Sequence, residues 1–171
     1  GTLELRDRND CNFFREYGET VIRVTSPDLE SVRSSTGWPV TSEGVLRFSD
    51  LRLISESFNN PETQTTDGSF DLELDTEAVR IVVNGIASLR LRGATEVLQV
   101  LIAAGDSRVD ARDLQAARVR LDHRGSNDIL VHPRTRISGV IRGYGDVRSY
   151  NRPPEVEVTE AYRGRLIFVE E

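Results

Sequence analysis

At 171 residues, 37 % apolar and 29 % charged, the chain is long enough to bury a substantial core and too rich in Val, Ile and Leu to remain disordered. Its formal charge of −6 is spread along the length, acidic residues interleaved with arginines, so no basic stripe for phosphates is legible and nucleic acid is not an expected partner. No run approaches the roughly 18 consecutive apolar residues of a membrane-spanning helix, and with no Lys all 22 basic residues are Arg, a compositional bias rather than site chemistry.

Short apolar/polar alternations recur in chain order: Leu3 and Leu5, Val45 to Phe48, Leu51 and Leu53, then Phe70, Leu72 and Leu74. That is strand periodicity. Cys11 is the only cysteine, which excludes an internal disulfide and a thiolate metal cluster; with no histidine near it in sequence, it is expected to be a buried or capped thiol rather than a nucleophile. Phe58 to Gly68 (FNNPETQTTDG) is polar and contains Pro61, the mark of a surface insertion between strands. Pro153-Pro154 marks a second bend. The absence of Met and the start at Gly1 lead us to expect that an upstream segment, a signal peptide included, has been removed.

Ala94 to Ala104 and Asp110 to Leu121 are rich in helix formers, and Leu114, Ala117 and Leu121 share a helical face. A stronger periodicity opposes a helix. Gly85, Gly105, Gly125 and Gly145 recur every twenty residues, as do Ile81, Leu101, Leu121 and Ile141, and Val97, Ala117 and Ile137. Each Gly is followed four and six places later by small or apolar residues, as in Gly85/Leu89/Leu91, Gly105/Val109/Ala111 and Gly125/Ile129/Val131, and Gly68/Leu72/Leu74 fits the same rule. Gly143/Val147/Ser149 fits with a two-residue shortening. Such a period signals a solenoid whose units bury their apolar rows by stacking. At ~3.3 Å per strand residue, twenty residues make a coil of three short strands joined by bends, with glycines at corners that need positive φ or close backbone approach. The expected fold is all-β: a single-stranded right-handed parallel β-helix, about 20 residues per regular coil, forming one domain over residues 1–171.

The segments LELRDRNDCNFFREYGETVIRV and PDLESVRSSTG, together with RGSNDILV (Arg124 to Val131) and RGYGDVRSY (Arg142 to Tyr150), resemble the family described as "putative auto-transporter adhesin, head GIN domain", common in envelope proteins of Bacteroidetes-type bacteria. The last two segments look like that family's Gly-x-Gly-Asp-hydrophobic corners. Asn127 stands where a second Gly is usual, and Trp38-Pro39 replaces it after Gly37. The resemblance implies a right-handed β-helix, no known enzymatic activity, and an exported or lipid-anchored precursor in the periplasm, on the outer-membrane surface or outside the cell. It also implies that coils of the full domain precede this segment, so that the first coil here exposes an edge.

Catalytic signatures are scarce. His123 and His132 lack flanking Cys or Glu at ligand spacing and are expected to be solvated or turn histidines. Neither a Gly-x-Ser-x-Gly elbow nor a Lys-bearing phosphate loop occurs. No cofactor or metal is expected. Asp106, Asp110, Asp113, Asp122, Asp128 and Asp146 supply carboxylates, and glycoside hydrolysis needs two at a fixed separation. Only Asp128 and Asp146 hold equivalent places, three residues after a corner Gly, and as such they are expected to stabilise turns. A carbohydrate-active enzyme using this pair is the runner-up. A scaffold polymerising end to end is third, disfavoured because RGRLIFVEE closes the chain on Glu170 and Glu171. The leading expectation is a non-catalytic adhesin-like or structural domain. Its filled interior leaves contacts to the exterior, near Arg124, Asn127, Arg142, Tyr144 and Arg148, with a glycan or another envelope or host-surface component as partner.

Overall fold

The computed structural model describes residues 1–6, 20–59, 63 and 65–169. Cys11, Glu170 and Glu171 lie outside the described residues, as does part of the insertion after Phe58. Among the described residues ten strands follow in order: β1 (Ser31–Arg33), β2 (Pro39–Leu46), β3 (Asp50–Ser55), β4 (Ser69–Val83), β5 (Ser88–Ile102), β6 (Arg108–His123), β7 (Ile129–Ile141), β8 (Val147–Ser149), β9 (Glu155–Glu160) and β10 (Leu166–Phe168). Every pairing between them is parallel. The long strands pass round corners, so their two halves meet different neighbours. Residues 69–74 of β4 lie on β2 and 78–83 on β3, while β7 gives its first residues to β8 and its last six to β9. This is a parallel β-solenoid. The described residues include no helix long and apolar enough to cross a membrane.

Inside the coil, apolar residues stack in columns. Phe70, Leu89, Val109, Ile129, Val147 and Leu166 form one, and Val79, Leu98, Val119 and Ile137 another. Apart from Leu166, which is half-buried, each of these is 1 % exposed or less. Fully burying such a side chain is worth ~1.5–3 kcal/mol, so the stacked rows supply the main stabilisation. The helix-forming stretches therefore become β5 and β6. Their inward positions alternate (Leu98, Val100, Ile102; Val119, Leu121), and parallel neighbours on both sides complete the backbone hydrogen bonds, so tertiary pairing overrides local propensity.

Coil length varies, and this corrects the strict twenty-residue columns. Ile81 opposes Val100, Val100 opposes Leu121, and Leu121 opposes Gly139, so successive coils there take 19, 21 and 18 residues. Leu101 consequently pairs with Val82 and Asp122 on the outer face, half-buried, and Ile141 stacks with His123 instead of Leu121. Val97 faces Arg118, while the column expected to hold Ala117 passes through Val119. Irregular pairing between Arg90/Arg92, Ala111/Gln115 and Ala116/Arg118 absorbs the differences, as bulges do. Gly68 also leaves the motif, because Phe70, not Leu72, opposes Leu89. The shortening at Gly143 is real: Val147 opposes Ile129, eighteen residues back.

Two corner glycines show why the position is restrictive. Gly105 has φ +86°, and a Cβ there would stand 2.4 Å from the Gly85 carbonyl oxygen. At Gly143 a Cβ would meet the Gly125 carbonyl oxygen at 2.1 Å. Any side chain at either place would push adjacent coils apart.

Candidate binding surface

The corner between β6 and β7 carries Arg124 and Asn127; the corner one coil further on carries Arg142 and Tyr144, with Arg148 following on β8. These five residues divide into three settings. Arg142 Nη1 donates to both oxygens of Asp122 at 2.9 Å, and Arg124 approaches the same carboxylate at 3.3 and 3.4 Å. Burial works against ionisation of Asp122, but the hydrogen bonds from Arg124 and Arg142 outweigh it and hold its pKa below the usual carboxylate value.

On the other side of the corner, Asn127 Nδ2 reaches the Asp106 carbonyl at 3.5 Å, and its Oδ1 accepts the Asp128 amide N–H at 3.0 Å. Asp128 Oδ1 in turn accepts the Asp146 amide N–H at 3.0 Å, while Oδ2 accepts from Arg148 Nε at 2.8 Å. Asp146 repeats the pattern one coil on, its Oδ1 accepting the Arg165 amide N–H at 2.8 Å. Burial raises the Asp128 pKa, yet Arg148 and the Asp146 amide lower it further, so it stays ionised near neutrality. A carboxyl held this way does not supply the proton that a glycosidic leaving group requires. Arg108, Leu130 and Tyr150 join Asn127, Asp128 and Arg148 around a shallow depression of about 300 Å³.

Tyr144 stands apart in the turn, 58 % exposed. Its ring meets Tyr162, itself 48 % exposed, edge to face at 5.1 Å between centroids, with the two hydroxyls 3.2 Å apart. The Arg163 guanidinium lies 5.5 Å from the Tyr144 centroid and 6.0 Å from that of Tyr162. Sequence reasoning missed Tyr162 and Arg163. The available signal was the eighteen-residue spacing of Tyr144 and Tyr162, matching the shortened coil from Gly125 to Gly143.

The histidines also depart from expectation. His123 is fully buried in the column of Val83, Ile102 and Ile141 rather than solvated. Alternation in β6 places it inward, where its bulk fills the coil beneath the corner. Its Nδ1 accepts a long hydrogen bond from the Gly125 amide at 3.4 Å, and its Nε2 has no hydrogen-bond partner among the described residues. His132 is half-buried on β7, with Nδ1 donating to the Arg112 carbonyl at 3.2 Å.

Burial pushes the His123 pKa below its ordinary value, although backbone groups of Gly145 and Asn127 and the charges of Asp128 and Asp146 favour the cation. The unfolded chain therefore binds a proton first as pH falls below about 6.5, and the fold loses stability until His123 itself is protonated. Urea melts from pH 7 to pH 5 should show that loss, and His123→Leu should flatten it. A slope unchanged by the substitution would assign the pH dependence elsewhere.

A model of the family described as "Putative auto-transporter adhesin, head GIN domain" matches residues 1–153. The chain belongs to this family. Among solved structures, a putative adhesin from Bacteroides fragilis NCTC 9343 is similar to it: TM-score 0.67, 19 % sequence identity, covering 77 % of this chain and 56 % of that one. At that identity the likeness is one of fold, and this head GIN family chain spans little more than half the length of that adhesin. No curated protein matches it in sequence.

Proposed function

We propose that the chain is a non-catalytic, adhesin-like binding domain of the cell envelope, exported, and that it makes its contacts from the outer surface of the coil at the corner carrying Arg124, Asn127, Arg142, Tyr144 and Arg148. The observation that carries this reading is the exposed Tyr144–Tyr162 pair with Arg163 over it, set on a solenoid whose interior columns are filled. Two half-exposed aromatic rings and a guanidinium form a surface able to stack on a sugar ring and hydrogen-bond its hydroxyls. The partner is accordingly a glycan or another component of an envelope or host surface. Membership of an adhesin family supports the same reading. The ion-paired state of Asp128 weighs against the glycosidase alternative.

A glycan array probed with the intact protein tests this. Tyr144→Ala with Arg142→Ala should lower the retained signal by about tenfold, the loss expected of ~1.4 kcal/mol of contact. Unchanged signal from a folded double variant would eliminate this corner as the binding surface.

A further inference from the structure

A second face, distinct from the Tyr144 corner, carries features that no corner motif accounts for. It is the outer side of the sheet formed by β3, β9 and the C-terminal halves of β4 to β7. Register places Arg52, Arg80, Gln99, Arg120, Ser138 and Glu157 in one outward row along the solenoid axis. Beside it runs a second row of Ile54, Val82, Leu101, Asp122 and Val140. A shallow groove of about 440 Å³ lies along the two rows, bordered by Arg80, Val82, Gln99, Leu101, Arg120 and the ion-paired Asp122.

The charge on this face is unusual for a chain with a net charge of −6. Arg52, Arg80 and Arg120 are exposed, and none forms an ion pair among the described residues, whereas twelve ion pairs occupy arginines elsewhere. Arg80 Nε only donates to Gln99 Oε1 at 2.8 Å. The carboxylates within the rows are spoken for: Asp122 is bound by Arg142 and Arg124, and Glu155 and Glu157 by Arg136, while Glu30, Asp50, Glu77 and Glu96 stand at the margin of the face. Coils in a parallel sheet repeat at ~4.8 Å, so the guanidinium stems stand ~5 and ~10 Å apart along one line.

We propose that this face binds a linear anionic polysaccharide, its carboxylate or sulfate groups meeting Arg52, Arg80 and Arg120 while the apolar faces of its sugar rings lie along Val82 and Leu101. Charge complementarity selects an anion, and guanidinium forks pair with planar or tetrahedral oxyanions. The linear array selects a chain with repeating charge over a single small anion. The adjoining apolar row suits pyranose C–H faces. A nucleic-acid strand would want aromatic platforms for its bases, and the two rows contain none. An extended acidic peptide would want a free strand edge, whereas β4 to β7 are paired on both sides here.

The test is retention of the intact protein on polygalacturonate and on dextran sulfate, each beside a neutral counterpart, fully methyl-esterified polygalacturonate and dextran. The protein should bind at least one anionic member and neither neutral one, with affinity falling as salt rises. Arg52→Ser with Arg80→Ser and Arg120→Ser should weaken binding by ~10-fold or more, and the charge-matched variant Arg6→Ser, Arg90→Ser, Arg134→Ser should bind like the unmodified protein. Thermal melts establish that both variants are folded. Tyr144→Ala should leave this binding intact, which separates it from the corner surface. The proposal is overturned if neither anionic polymer binds, if the two triple variants lose affinity equally, or if duplex DNA or poly-glutamate competes as well as the polysaccharide.

Discussion

Leu121→Ala should destabilise the protein by ~2–5 kcal/mol, and Leu101→Ala by well under half as much. Both residues are leucines in neighbouring coils, and a fixed twenty-residue period would make them equivalent. The structure makes them opposites. Leu121 is 5 % exposed and stacks inside the coil between Val100 and the backbone of Gly139, so truncation leaves a cavity that two adjoining coils cannot close. Leu101 lies half-buried on the outside between Val82 and Asp122, where water fills the space. Urea melts of the two variants read the difference directly. Equal losses would mean that the coil lengths of 19, 21 and 18 residues are wrong.

Arg33→Ala should cost about 3 kcal/mol, far more than loss of an ordinary surface ion pair. Glu56, just after β3, is 1 % exposed, a rare place for a carboxylate. Arg33 Nη2 donates to Glu56 Oε1 at 2.5 Å, Arg33 Nη1 to the Glu56 backbone carbonyl at 2.8 Å, and the Asn59 amide to Glu56 Oε2 at 2.8 Å. Burial raises the Glu56 pKa, but these partners lower it more, so the net shift is downward. Removing Arg33 strands a buried charge. The pair contributes its stability above about pH 4.5, where the unfolded carboxyl is ionised, and loses it as pH falls through the lower folded value. Arg33→Ala with Glu56→Gln should recover part of the loss because the stranded charge is gone. A double variant no more stable than Arg33→Ala alone would show that Glu56 is not desolvated.

How far the sequence could be read follows from which distances it carries. Glycine-led repeats with inward residues four and six places on are local, and they identify the solenoid because Leu89, Val109 and Ile129 do stack. Exact columns were not legible. Bulges near Arg92, Gln115 and Arg118 change the coil length without leaving a composition signal, so Ile81, Leu101, Leu121 and Ile141 share a spacing but not a column. His123 was misread for a related reason: its burial is set by strand parity in β6 rather than by its polarity. The corner residues were legible as a neighbourhood, since Arg142 and Arg124 both reach Asp122 and Asp128 reaches Arg148. Tyr162 and Arg163 lay a shortened coil away and were not seen. The row of Arg52, Arg80 and Arg120 was wholly hidden, because its members are 28 and 40 residues apart and become neighbours only through parallel pairing.

The central claim is that this adhesin-family chain binds on its outer surface without altering what it binds. The most direct measurement is the chain-length distribution of polygalacturonate or dextran sulfate before and after prolonged retention by the intact protein. The account predicts retained polymer of unchanged length, whether or not Asp128 is replaced by Asn. Shortened chains that disappear with Asp128→Asn would contradict it and make the Asp128/Asp146 pair an active site.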